Sequence, residues 1–123
     1  YADAIAAYRR LPRPVTRSSL ASNIANAHFF ARQLDAALQY YLLAVSLEPG
    51  DALLRQNLGD CYQRMKRRED ARAQYLEAVK LHRPALRVDP GSPRLSVAMA
   101  VYFAKAGECD SSRVWVVLGA ARQ

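Results

Sequence analysis

An internal period constrains this chain more than any other feature. Laid over itself at an offset of 34 residues, the segment that begins at Ser18 pairs with the one that begins at Ala52. Like then falls on like: Ile24 on Leu58, Ala25 on Gly59, His28 on Tyr62, Ala37 on Ala71, Tyr41 on Tyr75 and Ala44 on Ala78. A period of about 34 residues marks a solenoid in which each unit is a helix pair that can cover its apolar face only by stacking on its neighbours.

The matched residues say how such a pair packs. Small side chains at Ala25, Gly59, Ala37, Ala71, Ala44 and Ala78 let the two helices of a unit approach, while Tyr41, Tyr62 and Tyr75 are expected to fill the space between neighbouring units. Enlarging Ala37 or Ala71 is expected to cost about 1–3 kcal/mol by overpacking. The order large apolar, small, aromatic on the first helix, then Ala, aromatic, Ala on the second, resembles the tetratricopeptide repeat family.

That resemblance implies an all-α fold, a right-handed α-solenoid of antiparallel helix pairs with about three units and a preceding half repeat. One domain, 1–123, is expected: a half repeat 1–17, repeats 18–51, 52–92 and 93–123. The half repeat rests on Ile5 and Tyr8, with Leu11 in the place of the last small residue. The third unit rests on Met99, Ala100 and Phe103, and departs from the pattern at Ser112 and Val116 before Gly119. Helices are expected near 3–18, 19–32, 35–47, 52–66, 69–82, 93–106 and 110–121. Seven extra residues separate the third unit from the second. Either the helix is lengthened past Leu81 by about two turns and kinked near Pro84, or a stretch of chain is missing from the numbering.

Composition excludes several classes. With 51% apolar and 24% charged residues, five Gly and six Pro, the chain is globular in character. Apolar stretches fall short of the roughly 20 residues a membrane helix needs, and Arg or Lys interrupts each, so membrane insertion is not expected. The chain starts at Tyr1 with no leader pattern, which suggests a piece of a larger protein and leaves its compartment open. Cys61 and Cys109 show no metal-ligand spacing and no disulfide framework, and Cys61 reads as a small buried apolar residue. No cofactor is indicated. His28 holds an aromatic packing position, His82 is expected at a helix end where a cation suits the dipole, and there is no phosphate loop or nucleophile elbow, so an enzyme is not expected.

The family resemblance implies that the first helix of each unit lines a concave groove. Its candidates are Asn23, Asn26 and Phe29, with Ser22 and Gln33, from the first unit. Gln56, Asn57, Asp60 and Arg64, with Gln63, come from the second, and Arg94, Val97 and Val101, with Ala98 and Lys105, from the third. Amides suit an extended peptide backbone, and Phe29, Val97 and Val101 suit an apolar anchor. Some relatives grip a C-terminal carboxylate through two asparagines and three basic residues. Asn26, Asn57 and Arg94 fall at three of those places, but Ser22 and Ala98 hold the other two, which leaves the clamp degraded.

A non-catalytic scaffold for a protein or peptide is therefore the leading expectation. A type III secretion chaperone is the narrower alternative, because Pro93-Arg94 and Gly107-Glu108 resemble that group, although its members tend to be acidic and this chain is not. The net charge of +7, with Arg9, Arg10, Arg13 and Arg17 near the start and Arg64, Lys66, Arg67, Arg68 and Arg72 around one turn, suggests an acidic partner, an acidic polymer or nucleic acid. Glu69 and Asp70 interrupt the second cluster, and no aromatics interleave with it. Last, Val114-Trp115-Val116-Val117-Leu118 is apolar on every side, so the final helix is expected to pack against a further repeat absent from this piece or, by self-association, against a second copy of the chain.

Overall fold

The computed structural model describes Ile5 and residues 16–107. The expected helices of the half repeat and of 110–121, with Ser112, Val116, Gly119 and the Val114 to Leu118 run, lie outside the described residues, apart from a buried, helical Ile5. Five helices cross residues 16–107: α1 Ser18–Phe30, α2 Leu34–Leu47, α3 Ala52–Arg64, α4 Arg68–Val88 and α5 Pro93–Lys105. Thr16 and Arg17 are not helical, Arg17 being extended, so the expected helix 3–18 does not reach residue 18, where α1 begins.

Local chemistry sets the ends. Asp51 caps α3 by accepting from the amides of Leu53 at 2.9 Å and Leu54 at 3.3 Å. Ser92 caps α5, with Pro93 in the first turn where its missing N–H costs nothing. Helices α1 and α3 stop in the same way. Arg32 (φ 63°) and Lys66 (φ 62°) turn left-handed, and the following amides of Gln33 and Arg67 reach back to the carbonyls of His28 and Tyr62 at 2.8 and 2.9 Å. Gly107 (φ 85°) holds that place after α5.

Substantial contacts join only consecutive helices, as one-dimensional stacking requires. Helices α1 with α2 and α3 with α4 form two hairpins, and α2 on α3 and α4 on α5 stack the units. Ala25, Ala37, Ala44, Ala71 and Ala78 are all at most 1% exposed, in the positions where the helices meet. One core cluster runs through α1 to α4 around Leu58, Cys61, Tyr41 and Tyr75, and a second joins α4 to α5 around Val79, Leu86, Met99 and Phe103.

Two expectations change. Tyr75 packs within its own unit as well as toward the next: a Cβ built at Gly59 meets its ring at 2.6 to 3.0 Å, and Lys105 of α5 lies 5.8 Å from its centroid. His82 is not at a helix end, because α4 runs unbroken through Pro84 to Val88. The seven extra residues are thus helix. Pro84 removes the donor for the Lys80 carbonyl, but it is exposed, where water can serve instead, and Leu86 beyond it is buried at 8% against the α5 cluster.

Candidate functional site

The groove candidates lie on α1, α3 and α5, and the structure sorts them by what their side chains already do. Asn26 is half-buried and its Oδ1 accepts from the Tyr41 hydroxyl. Asp60, one period later, accepts from the Tyr75 hydroxyl at 2.7 Å and from Lys105 Nζ at 2.9 Å. Burial, and then the nearby negative charge, pushes both tyrosine hydroxyls well above their usual range, so they remain protonated donors. Arg64 lies 5.6 Å from the Phe29 ring centroid, a cation over an aromatic face. Asn26, Asp60 and Arg64 therefore carry internal work as well as facing outward.

The remaining candidates keep surface to offer. Asn23 and Arg94 are exposed, while Gln56, Asn57 and Phe29 are half-buried. Val97 is 45% and Val101 38% exposed, one turn apart on α5. A depression of about 250 Å³ brings Asn23 and Asn57 together, with Ser19, Leu53 and Leu54 in its walls; it does not include Asn26 or Arg94. Ser22 is only 8% exposed, yet it too lines this depression. Gln33 is turned to His28, whose Nδ1 lies 2.7 Å from its Oε1, and His28 stacks on Tyr40 at 5.6 Å.

Sequence reasoning missed the tyrosine hydrogen bond that crosses each hairpin. The signal was there: Asn26 and Asp60 repeat at the same period as Tyr41 and Tyr75, with fifteen residues between acceptor and donor in both units. It was hidden because a polar residue on a first helix looked free for a partner.

Reactive chemistry has little to work with. The Cys61 thiol is fully buried, with burial first and the Asp35 charge second pushing its pKa up to about 11. Among the described residues no group of three or more His, Cys, Asp or Glu is placed to hold a metal ion, and no helix is long and apolar enough to cross a membrane.

Stacked two-helix hairpins with repeating small contacts define an α-solenoid. The tetratricopeptide repeat model matches residues 19–51 and 52–83, just over half of the chain, and the chain belongs to that family. No curated protein matches the sequence. Among solved structures, MamA is similar over 98% of this chain and 67% of its own, with 18% identity and a TM-score of 0.66. The first repeat domain of Spaghetti (RPAP3), bound to the HSP90 peptide SRMEEVD, is similar over 86% of this chain and 79% of its own, at 14% identity and a TM-score of 0.58. The Yersinia enterocolitica type III secretion translocator chaperone SycD covers 85% and 74% at 18% identity, with a TM-score of 0.56. At these identities the likeness is one of fold.

Proposed function

We propose that the chain is a non-catalytic protein-interaction scaffold that takes an extended peptide segment across the face formed by α1, α3 and α5. The observation that carries this reading is the pair Val97 and Val101, two large apolar side chains left partly in water one turn apart on α5. Neither is needed by the core clusters, and Asn23 and Asn57 meet in a depression on the neighbouring helices. Apolar anchors beside amides are what an extended backbone with one or two greasy side chains needs. The RPAP3 repeat domain, similar in fold, was solved bound to a peptide.

Covering the exposed part of each valine is worth about 1 kcal/mol, so losing both should weaken a peptide by at least tenfold. Peptides selected from a displayed random library on the full chain, then measured by calorimetry against Val97→Asp/Val101→Asp, test it. A large loss of affinity with an unchanged melting curve is expected. A library that yields no binder, or binders indifferent to the double variant, overturns the reading.

Capture of a terminal carboxylate is less well served: Ser22 and Ala98 supply no charge at two of the five places, and Ser22 is buried. Polyanion binding loses part of its basis too. Arg67 is paired with Asp70 at 2.8 Å and lies over Tyr62, and Arg72 donates to the Ala106 carbonyl at 3.1 Å. The narrower chaperone reading draws only on likeness of fold to SycD.

A further inference from the structure

The lengthened end of α4 makes a second recess, which adjoins the Asn23 and Asn57 depression and shares Glu48, Asp51 and Leu53 with it. Between the Glu48 to Leu53 loop, the α4 residues Leu81, His82 and Ala85, and Tyr102 of α5 lies a cleft of about 640 Å³. Its size is in the range of ligand sites, and its walls are mostly apolar with a few polar groups. Leu53 stands 57% exposed at its edge.

The carboxylates in the lining share one sign, with no cation among the described lining residues to answer them. Glu48 and Asp51 are carboxylates, and the His82 Nε2 is buried with no hydrogen-bond partner. Burial first, and the charge of Arg94 besides, opposes protonation of the His82 ring, while the Leu95 backbone pulls the other way; the balance favours the neutral ring. Each carboxylate has one oxygen in use, Glu48 from Ser18 at 2.8 Å and Asp51 from the α3 amides, and one to spare. No Lys, Arg, Asn or Gln lines the cleft, in a chain of net charge +7. Arg94 lies outside the lining. Arg55, one turn into α3, turns its guanidinium to Gln74 and the Pro49 carbonyl.

A recess of acceptors over apolar walls suits a guest that only donates and has an apolar stem. Arginine does this: its planar head carries five N–H groups and no acceptor, matches carboxylates in pairs, and rides on an apolar stem. We propose that this cleft is a subsite for an arginine side chain of a partner protein. A lysine makes fewer of the same bonds, and a neutral or acidic side chain leaves the carboxylates uncovered. The subsite uses neither Val97 nor Val101, so its test and that of the peptide face can fail separately.

Amide spectra of the isotope-labelled full chain, titrated with the blocked tripeptides Gly-Arg-Gly, Gly-norleucine-Gly and Gly-Glu-Gly, test it. The arginine peptide should shift Gly50, Leu53, His82 and Tyr102 saturably, at low-millimolar to tens of millimolar concentration for one side chain. The double variant Glu48→Gln/Asp51→Asn, which keeps a capping residue at Asp51, should weaken that binding at least tenfold. Ala85→Phe, at an exposed helical position in the cleft wall, should block it without loss of fold. Equal shifts from the norleucine peptide, stronger shifts from the glutamate peptide, or no saturable shift from arginine would overturn the proposal. So would the same shifts appearing as the protein alone is concentrated, which would give the cleft to a second copy.

Discussion

The first and second repeats are built on one pattern and close differently. In the first, Tyr41 donates to a neutral amide, Asn26, and Ala25 packs fully buried beneath it. In the second, Tyr75 donates to a carboxylate, Asp60, and only glycine fits at position 59, because a Cβ there would stand 2.6 Å from the ring. The carboxylate has a second customer: Lys105 of α5 bonds it at 2.9 Å and lies 5.8 Å from the Tyr75 ring centroid. The Tyr41 bond stays within the first hairpin, while the acceptor of the Tyr75 bond also holds the unit that follows. One substitution, Asn to Asp at equivalent places, turns a bond within a repeat into a link between repeats.

The glycine contrast should give the largest effect. Gly59→Ala pushes on a ring that is 2% exposed and tethered by its hydroxyl, so a loss of about 1–3 kcal/mol in urea denaturation is expected. Ala25→Gly, at the same place in the first repeat, should cost only about 0.5–1 kcal/mol through backbone entropy. Equal costs would show that the two hairpins are equally close. Next come the tyrosines. Tyr75→Phe leaves a charged acceptor short of a donor and should cost about 1–2 kcal/mol, against about 0.5–1.5 kcal/mol for Tyr41→Phe.

pH separates the same groups. Tyr41, Tyr75 and Tyr102 are all raised in the folded state, chiefly by burial, so folding favours their protonated forms. The stability they add is whole below about pH 10, the ordinary tyrosine value, and is lost as pH rises beyond it. Cys61, raised from 9.0 to about 11, starts the decline earlier. His82 is lowered, so its contribution is whole above about 6.5 and is lost as pH falls through its folded value. Denaturation midpoints across pH should show a plateau with both flanks falling, the alkaline flank shallower in Tyr75→Phe and the acid flank shallower in His82→Leu. A profile in which neither variant changes its flank would overturn these assignments.

Smaller effects belong to the turns and the link. Lys66→Gly and Arg32→Gly relieve left-handed backbone that a side chain adopts only at a cost, and each should stabilise by about 0.5–1 kcal/mol, net of glycine's entropy. Lys105→Met should cost about 0–1 kcal/mol, fading with salt, because the pair is about one third exposed.

The hairpins were legible in the sequence because size repeats with period: Ala25 and Gly59, Ala37 and Ala71, Ala44 and Ala78 can sit only where helices touch. The site was less legible. Asn26, Asp60 and Arg64 read as free groove residues, yet each is spoken for by a residue far along the chain, and Ser22 is covered by its neighbours. The His82 cleft left no repeating mark at all, since it arises where the pattern is broken by seven residues.

What the sequence determined by itself was therefore the repeating unit and its class, because close packing of helices imposes residue size position by position. Tertiary structure alone decided that the insertion continues as helix past Pro84, which polar side chains are already bonded, and where open surface remains. Those outcomes depend on distances between residues fifteen to forty-five apart in the chain, and no local preference encodes them.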